Sequence, residues 1–261
     1  MPRVNLSPLQ RTGKLARIVA TTLASTRRAA KIGFRSGGRV DRDGMAKAHL
    51  MWSDSLIDIL SIDLKIEGVP VCTDPCLFLS NHISYLDIAL IMQFVNRGNF
   101  GVYVSKSEVK DWPIFGRATT AGGTIYVDRK GDGSRKALAE AIRRSIRDLG
   151  HSVVLFPEGT SSLEAKVFKP GPFLTARDHD LLIQPLCLHY RPLREAAFID
   201  DDSLVPHLWN LVGHPHIEAT LVALPPRKYT TTDVEAASAS TREEILTVFR
   251  ELEARPPRHL P

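Results

Sequence analysis

Short apolar runs alternate with longer amphipathic stretches along most of this chain. Runs at 62–67, 76–80, 100–105, 124–128, 152–156, 182–188 and 216–222 are rich in Val, Ile, Phe and Leu and have the length of strands. Several are separated by patterns of helical period. The clearest covers 134–149, where Leu138, Ile142, Ile146 and Leu149 recur at helical spacing. Ser134 stands where an N-cap is expected and Gly150 where a C-cap is. The opposite side of that stretch, with Arg135, Lys136, Arg143, Arg144 and Arg147, reads as a solvated face. A polar, glycine-bearing break at 36–44 precedes another predicted helix at 45–60, with Met51, Leu56, Ile59 and Leu60 apolar. Strands alternating with helices predict an α/β fold: a mixed, largely parallel sheet flanked by helices. Sheets of this kind place ligands at the carboxyl ends of their strands.

Charge divides the chain unevenly. Of its 34 Lys and Arg residues, nine fall within 1–40, which contains no Asp or Glu. The remainder then has 25 basic against 29 acidic residues, so the surplus of positive charge belongs to the N-terminal segment. Within it, Leu15–Ala24 is mildly apolar, but too short and too polar to span a bilayer and without the core of a signal peptide. A basic helical arm lying on an anionic membrane surface fits this pattern, and a solvated tail is the plainer alternative. Nucleic acid is not an expected partner: the segment has one aromatic residue, Phe34, and no base-stacking pattern. The predicted organisation is a membrane-docking arm at 1–40, a catalytic-type domain at 41–250 and a frayed tail at 251–261. Three cysteines, Cys72, Cys76 and Cys187, predict neither a disulfide framework nor a metal site.

Two short stretches carry chemistry. Asn81-His82-Ile83-Ser84-Tyr85-Leu86-Asp87 follows the apolar run at 76–80. Five residues of ideal helix turn through about 500°, so His82 and Asp87 cannot meet within one helix. They can meet if His82 lies in the loop and Asp87 in the first helical turn, with Ser84 as a candidate N-cap. Asp87 would then accept the Nδ1 proton of the imidazole and leave Nε2 free as a base. By spacing alone, the pair reads equally as a satisfied loop histidine beside a helix-start charge. The second stretch, Phe156-Pro157-Glu158-Gly159-Thr160-Ser161-Ser162, is a tight turn after a buried run. Its backbone N–H groups and one carboxylate could hold an oxyanion or hydroxyls, although any strand exit can look similar. No Gly-x-Ser-x-Gly elbow is present, and Ser84, Ser152, Ser161 and Ser162 qualify as nucleophiles by residue type alone.

In order and spacing, four blocks across about 65–190 resemble the glycerolipid acyltransferase family, whose best-known members acylate lysophosphatidate. His82-x-x-x-x-Asp87 resembles the first block, and Gly123-Thr-Ile-Tyr-Val-Asp128-Arg129 the second. Phe156–Ser162 is similar to the third, and Ile183-Gln-Pro185-Leu-Cys-Leu to the fourth. Lys106-Ser-Glu108 with Pro113-Ile-Phe-Gly116 is similar to the family's Lys-x-Glu…Pro-x-x-Gly segment. The resemblance implies O-acyl transfer from acyl-CoA or acyl-carrier protein, as co-substrate and with no cofactor, to the hydroxyl of a lysolipid. It implies His82 as general base, Asp87 as its orienting partner, Glu158, Gly159 and Thr160 as acceptor-holding residues, and Lys106 and Arg129 as anion contacts. Lys169-Pro170-Gly171 resembles a segment that follows the third block. An enzyme at the cytoplasmic face of a membrane, working with anionic lipids, would follow.

One position departs from the family pattern. Phosphatidate-forming members commonly carry Arg where this chain has Ser161. Losing a charge-assisted phosphate contact of about 1.5–3 kcal/mol makes another lysophospholipid, or a lyso-aminolipid such as lyso-ornithine lipid, a rival acceptor. Lys166 or Lys169 could compensate. The leading expectation remains 1-acylglycerol 3-phosphate, giving phosphatidate in phospholipid biosynthesis. A lipid hydrolase and a non-catalytic lipid-binding protein are the expectations of other classes.

Overall fold

In the computed structural model, residues 5–33, 40–112, 114–128, 133–230 and 233–258 are described. Two helices, α1 (Pro8–Ile32) and α2 (Arg42–Leu60), precede the sheet. The chain then runs β1 (Ile62–Gly68), β2 (Leu77–Ser80), α3 (Leu86–Val95), β3 (Gly101–Lys106), α4 (Phe115–Ala121) and β4 (Ile125–Val127). It continues through α5 (Ser134–Arg143), β5 (Ser152–Leu155), α6 (Gly171–Asp178), β6 (Leu182–Arg191), α7 (Leu193–Ala196) and α8 (Leu204–Leu211). It closes with β7 (Ile217–Ala223), β8 (Arg227–Lys228) and α9 (Val234–Ala254). All seven apolar runs predicted as strands are strands.

The strand order is β1-β7-β6-β2-β5-β3-β4, with β8 paired to β6. Neighbours are parallel except where β6 meets β7 and β8. The central strands β2 and β5 are buried along their whole length, as strands covered on both faces must be. Helix α2 packs against α3 and β1, and α9 packs against β6 and α6. β2, β5, β3 and β4 all end at the same edge. The blocks picked out in the sequence therefore leave the sheet side by side. In the segment after β3, Gly116 is required sterically: a Cβ there would sit 2.0 Å from the carbonyl oxygen of Lys110.

Several local expectations are corrected. The segment expected as a separate arm forms α1, which packs on α2 and α4 and buries Ile18, Thr22 and Ala29. Trp52 Nε1 donates to Thr22 Oγ1 at 3.1 Å, and Arg17 pairs with Asp58. α2 begins three residues earlier than expected, because Asp41 caps it by accepting from the N–H of Gly44. Positions 34–39 of the predicted break lie outside the described residues. Gly133, not Ser134, is the N-cap of α5, since its left-handed φ of 100° turns the chain into the helix. Gly150 stands just past the helical stretch with φ 67°, although the last turn, Arg144–Asp148, is π-wound. The tail is not frayed where it is described. α9 runs to Ala254, and Arg258 donates to Asp63, Thr220 and the carbonyl of Ala219, which pins the chain across the sheet edge.

Candidate active site

His82 sits in the loop after β2, and its position is set by its neighbours. The Asn81 side chain mimics one more ladder rung. Its Nδ2 donates to the carbonyl of Leu188 and its Oδ1 accepts from the N–H of Leu188, both at 2.8 Å. His82 Nδ1 then lies 2.8 Å from Asp87 Oδ2. Asp87 is in the first turn of α3, as the spacing required for contact. Ser84 does not cap that helix: Tyr85 is the N-cap residue and makes no side-chain cap bond, and Ser84 Oγ is buried without a partner among the described residues. Asp87 does the tying instead. Its Oδ2 accepts from the N–H groups of Ile83 at 2.7 Å and Ser84 at 3.1 Å. Its Oδ1 accepts from the Tyr190 hydroxyl at 2.7 Å.

The imidazole is held on its face as well. It stacks on Phe156, ring centres 4.0 Å apart and planes 12° from parallel. The His82 side chain keeps 22% exposure while that of Asp87 has none. With the Nδ1 proton directed to a buried carboxylate, Nε2 is the nitrogen available to accept another.

Glu158 closes the arrangement from the other loop. The sequence suggests that it holds an acceptor, but its carboxylate is directed inward and braces the two blocks together. Oε1 accepts from the N–H of His82 at 3.0 Å. Oε2 accepts from Ser162 Oγ at 2.6 Å and from the N–H of Lys166 at 2.9 Å. The N–H of Ser162 returns to the His82 carbonyl at 2.8 Å. Burial pushes the Glu158 carboxyl above its ordinary range, partly offset by the donors from Ser162, Lys166 and His82. Gly159 has φ 74° and its N–H donates to the Phe156 carbonyl at 3.0 Å, so that N–H closes the turn and is not offered to an oxyanion. Thr160 is exposed beside it.

Of the two predicted anion contacts, Lys106 lies farther along the same edge. Lys106 ends β3, two strands from β2, and is exposed. Arg129, two residues after β4, lies outside the described residues, as does Pro113. Ser161, where the chain departs from the family pattern, donates its hydroxyl to the Phe198 carbonyl, and the Phe198 N–H donates to the Ile83 carbonyl at 2.9 Å. The segment after β6 is thereby tied to both blocks. Sequence reasoning missed Asn81, Phe156 and Tyr190 as parts of this site. Asn81 and Phe156 open the two quoted stretches and could have been suspected. Tyr190 stands 103 residues from Asp87, and no spacing signals it.

Residues 63–189 match the model of the Acyltransferase family. The chain carries an acyltransferase domain. Over 177 residues it is 28% identical to a lyso-ornithine lipid O-acyltransferase of Pseudomonas aeruginosa, covering 64% of this chain and 66% of that one. Over 136 residues it is 32% identical to a 1-acyl-sn-glycerol-3-phosphate acyltransferase of Limnanthes douglasii, covering 51% of this chain and 47% of that one. The match thus spans between about half and two thirds of these relatives' own length. The fold is that of the 1-acyl-sn-glycerophosphate acyltransferase PlsC of Thermotoga maritima, with a TM-score of 0.65 and 18% identity, covering 94% of this chain and all of that one. The acyltransferase domain contains His82, Asp87 and Glu158. Among the described residues, no helix is long and apolar enough to cross a membrane.

Proposed function

We propose that the protein is a lysolipid O-acyltransferase in membrane-lipid synthesis, with His82 as general base. The observation that carries this reading is the imidazole fixed at Nδ1 by buried Asp87 and on its face by Phe156, with Nε2 left to take a proton. The serines around it are structural. Ser161 and Ser162 donate to Phe198 and Glu158, Ser152 Oγ accepts from Cys76, and Ser84 Oγ is buried. The acyl group therefore passes directly between substrates. As the acceptor hydroxyl oxygen attacks the thioester carbonyl of acyl-CoA or acyl-carrier protein, its proton moves to Nε2 and a C–O bond forms. Collapse of the tetrahedral oxyanion breaks the C–S bond, and the departing thiolate takes the proton back from the imidazolium. Asp87 stabilises that imidazolium, and holding two substrates beside one base supplies the rate.

For the acceptor, the weight moves from 1-acylglycerol 3-phosphate toward a lyso-aminolipid of the lyso-ornithine type. Ser161 brings no cation to a position where phosphatidate-forming members carry Arg, and its hydroxyl is already engaged. The name of the Pseudomonas relative points the same way. The phosphate monoester is the second reading, supported by the Limnanthes relative and by Lys106 at the end of β3, with Arg129 as the second cation that the resemblance implies. The reaction belongs at a membrane surface on the cytoplasmic side, where both lipid substrates and an acyl donor meet. The outer side of α1, with Leu9, Val19 and Leu23 exposed beside Arg27 and Lys31, suits anionic lipid.

Purified protein given labelled acyl-CoA or acyl-carrier protein and a panel of lysolipids tests this. The expected result is one free thiol per acylated lipid. Fatty acid released without an acceptor would assign a hydrolase, and lipid binding without thiol release a binding protein.

A further inference from the structure

Asp87 is the most heavily engaged acceptor of the site, and its two oxygens are treated differently. Oδ2 faces the catalytic loop, where it takes His82 Nδ1 and two backbone N–H groups. Oδ1 faces the sheet, and among the described residues its donor is the Tyr190 hydroxyl. Tyr190 is fully buried near the carboxyl end of β6. The same strand holds Asn81 through the backbone of Leu188, two residues earlier. β6 thus reaches the catalytic loop twice, once at the residue before the base and once behind its partner.

We infer that Tyr190 is a positioning residue for acyl transfer: its hydroxyl anchors Asp87 Oδ1 so that Oδ2 is presented to His82 Nδ1. The inference rests on the reading of His82 as the base. A carboxylate turns about a broad, roughly two-fold terminal torsion. Without the phenol, Oδ1 would be a buried acceptor lacking that donor, and the plane of the carboxylate would lose its anchor. The phenol also draws charge from the carboxylate. Removing it leaves more charge on Oδ2, which holds the imidazolium more tightly and demands a higher pH for the free base. The other titratable groups facing the pair are Glu158, from the loop after β5, and Tyr103, from β3. Tyr103 is also buried, but its hydroxyl donates to the Ile88 carbonyl at 2.9 Å and does not touch the carboxylate.

This contrast defines the experiment. Tyr190→Phe and Tyr103→Phe are made in the full chain and compared with wild type for kcat, KM, pH profile and the imidazole titration of His82 by NMR. Tyr190→Phe is expected to lower kcat about tenfold with KM for both substrates within about twofold. The acidic limb of kcat/KM and the His82 titration should both move up by about half a pH unit. Tyr103→Phe should move neither. A Tyr190→Phe enzyme with wild-type kcat and an unmoved titration overturns the inference, as does an equal effect of Tyr103→Phe. Should Tyr190→Phe not fold, 3-fluorotyrosine at position 190 keeps the shape and strengthens the donor. Both readouts should then move down, and unmoved readouts overturn the inference. Failure of wild type to acylate any lysolipid would count against the proposed function, while the NMR titration would still decide the role of Tyr190.

Discussion

At the scale of single residues, the acyltransferase reading depends on one imidazole. His82→Ala should reduce acyl transfer by about a thousandfold with circular dichroism unchanged, because no neighbouring group can take over the proton transfer. Asp87→Asn should lose much of the activity. An amide can donate to Nδ1 and favours the tautomer whose Nε2 already carries a proton. Retention of most activity by His82→Ala in the lysolipid assay would exclude the mechanism. Ser161 is the residue expected to steer the acceptor. Ser161→Arg gives up a bond to the Phe198 carbonyl and adds a guanidinium suited to a phosphate monoester. The ratio of 1-acylglycerol 3-phosphate to lyso-aminolipid acylation should rise by about tenfold, read in a competition assay with products separated by headgroup.

At the scale of elements, α1 has two sides with different work. Its inner side is part of the fold, through Ile18, Thr22 and the contact of Thr22 with Trp52. Its outer side exposes Leu9, Val19 and Leu23. Deleting residues 1–33 should therefore weaken binding to anionic vesicles and also lower the melting temperature, since α2 loses its cover. Val19→Asp with Leu23→Asp separates the two. Cosedimentation with anionic vesicles should fall, wild-type binding should decline with salt, and the melting temperature should stay within a few degrees. Unchanged cosedimentation by the double variant would remove α1 from the membrane contact.

At the scale of the whole molecule, buried histidines set the acid limit of the fold. His49 on α2 stacks against Phe100, and its Nε2 has no partner among the described residues. Burial pulls it down to about 4. His151 is also pulled down to about 4, by burial and by Arg42. A histidine depressed in the folded state binds its proton better when unfolded. Stability is therefore complete above the ordinary value near 6.5 and falls as pH drops from there toward about 4. For His49 alone the loss is on the order of 3 kcal/mol by pH 4. Glu158, held above the ordinary carboxylate range by burial, works in the opposite sense and softens the fall. Melting temperatures measured from pH 7.5 to 4.5 should drop steeply below about 6.5. His49→Gln should flatten that slope, and an identical slope would take His49 out of the account.

What the sequence determined by itself is the part written in local patterns. Strand length and Val/Ile richness placed seven strands, most plainly the central β2 and β5, because a strand buried on both faces needs an unbroken apolar run of that length. The five-residue spacing between His82 and Asp87 excluded contact within one helix and allowed it with His82 in a loop and Asp87 in a first helical turn. Block order and spacing identified the family. The tertiary structure decided what depends on residues far apart in the chain. Only the pairing of β6 with β2 brings Tyr190 behind Asp87 and Leu188 beside Asn81. Only the meeting of two loops at one sheet edge shows that the Glu158 carboxylate faces the His82 backbone and that the Gly159 N–H turns inward. Charge marked 1–40 as basic, but the inward, buried side of α1 exists only because α2 and α4 offer it a surface. A pattern along the chain reports which groups want burial or partners, whereas which partner each one finds depends on how distant strands pair.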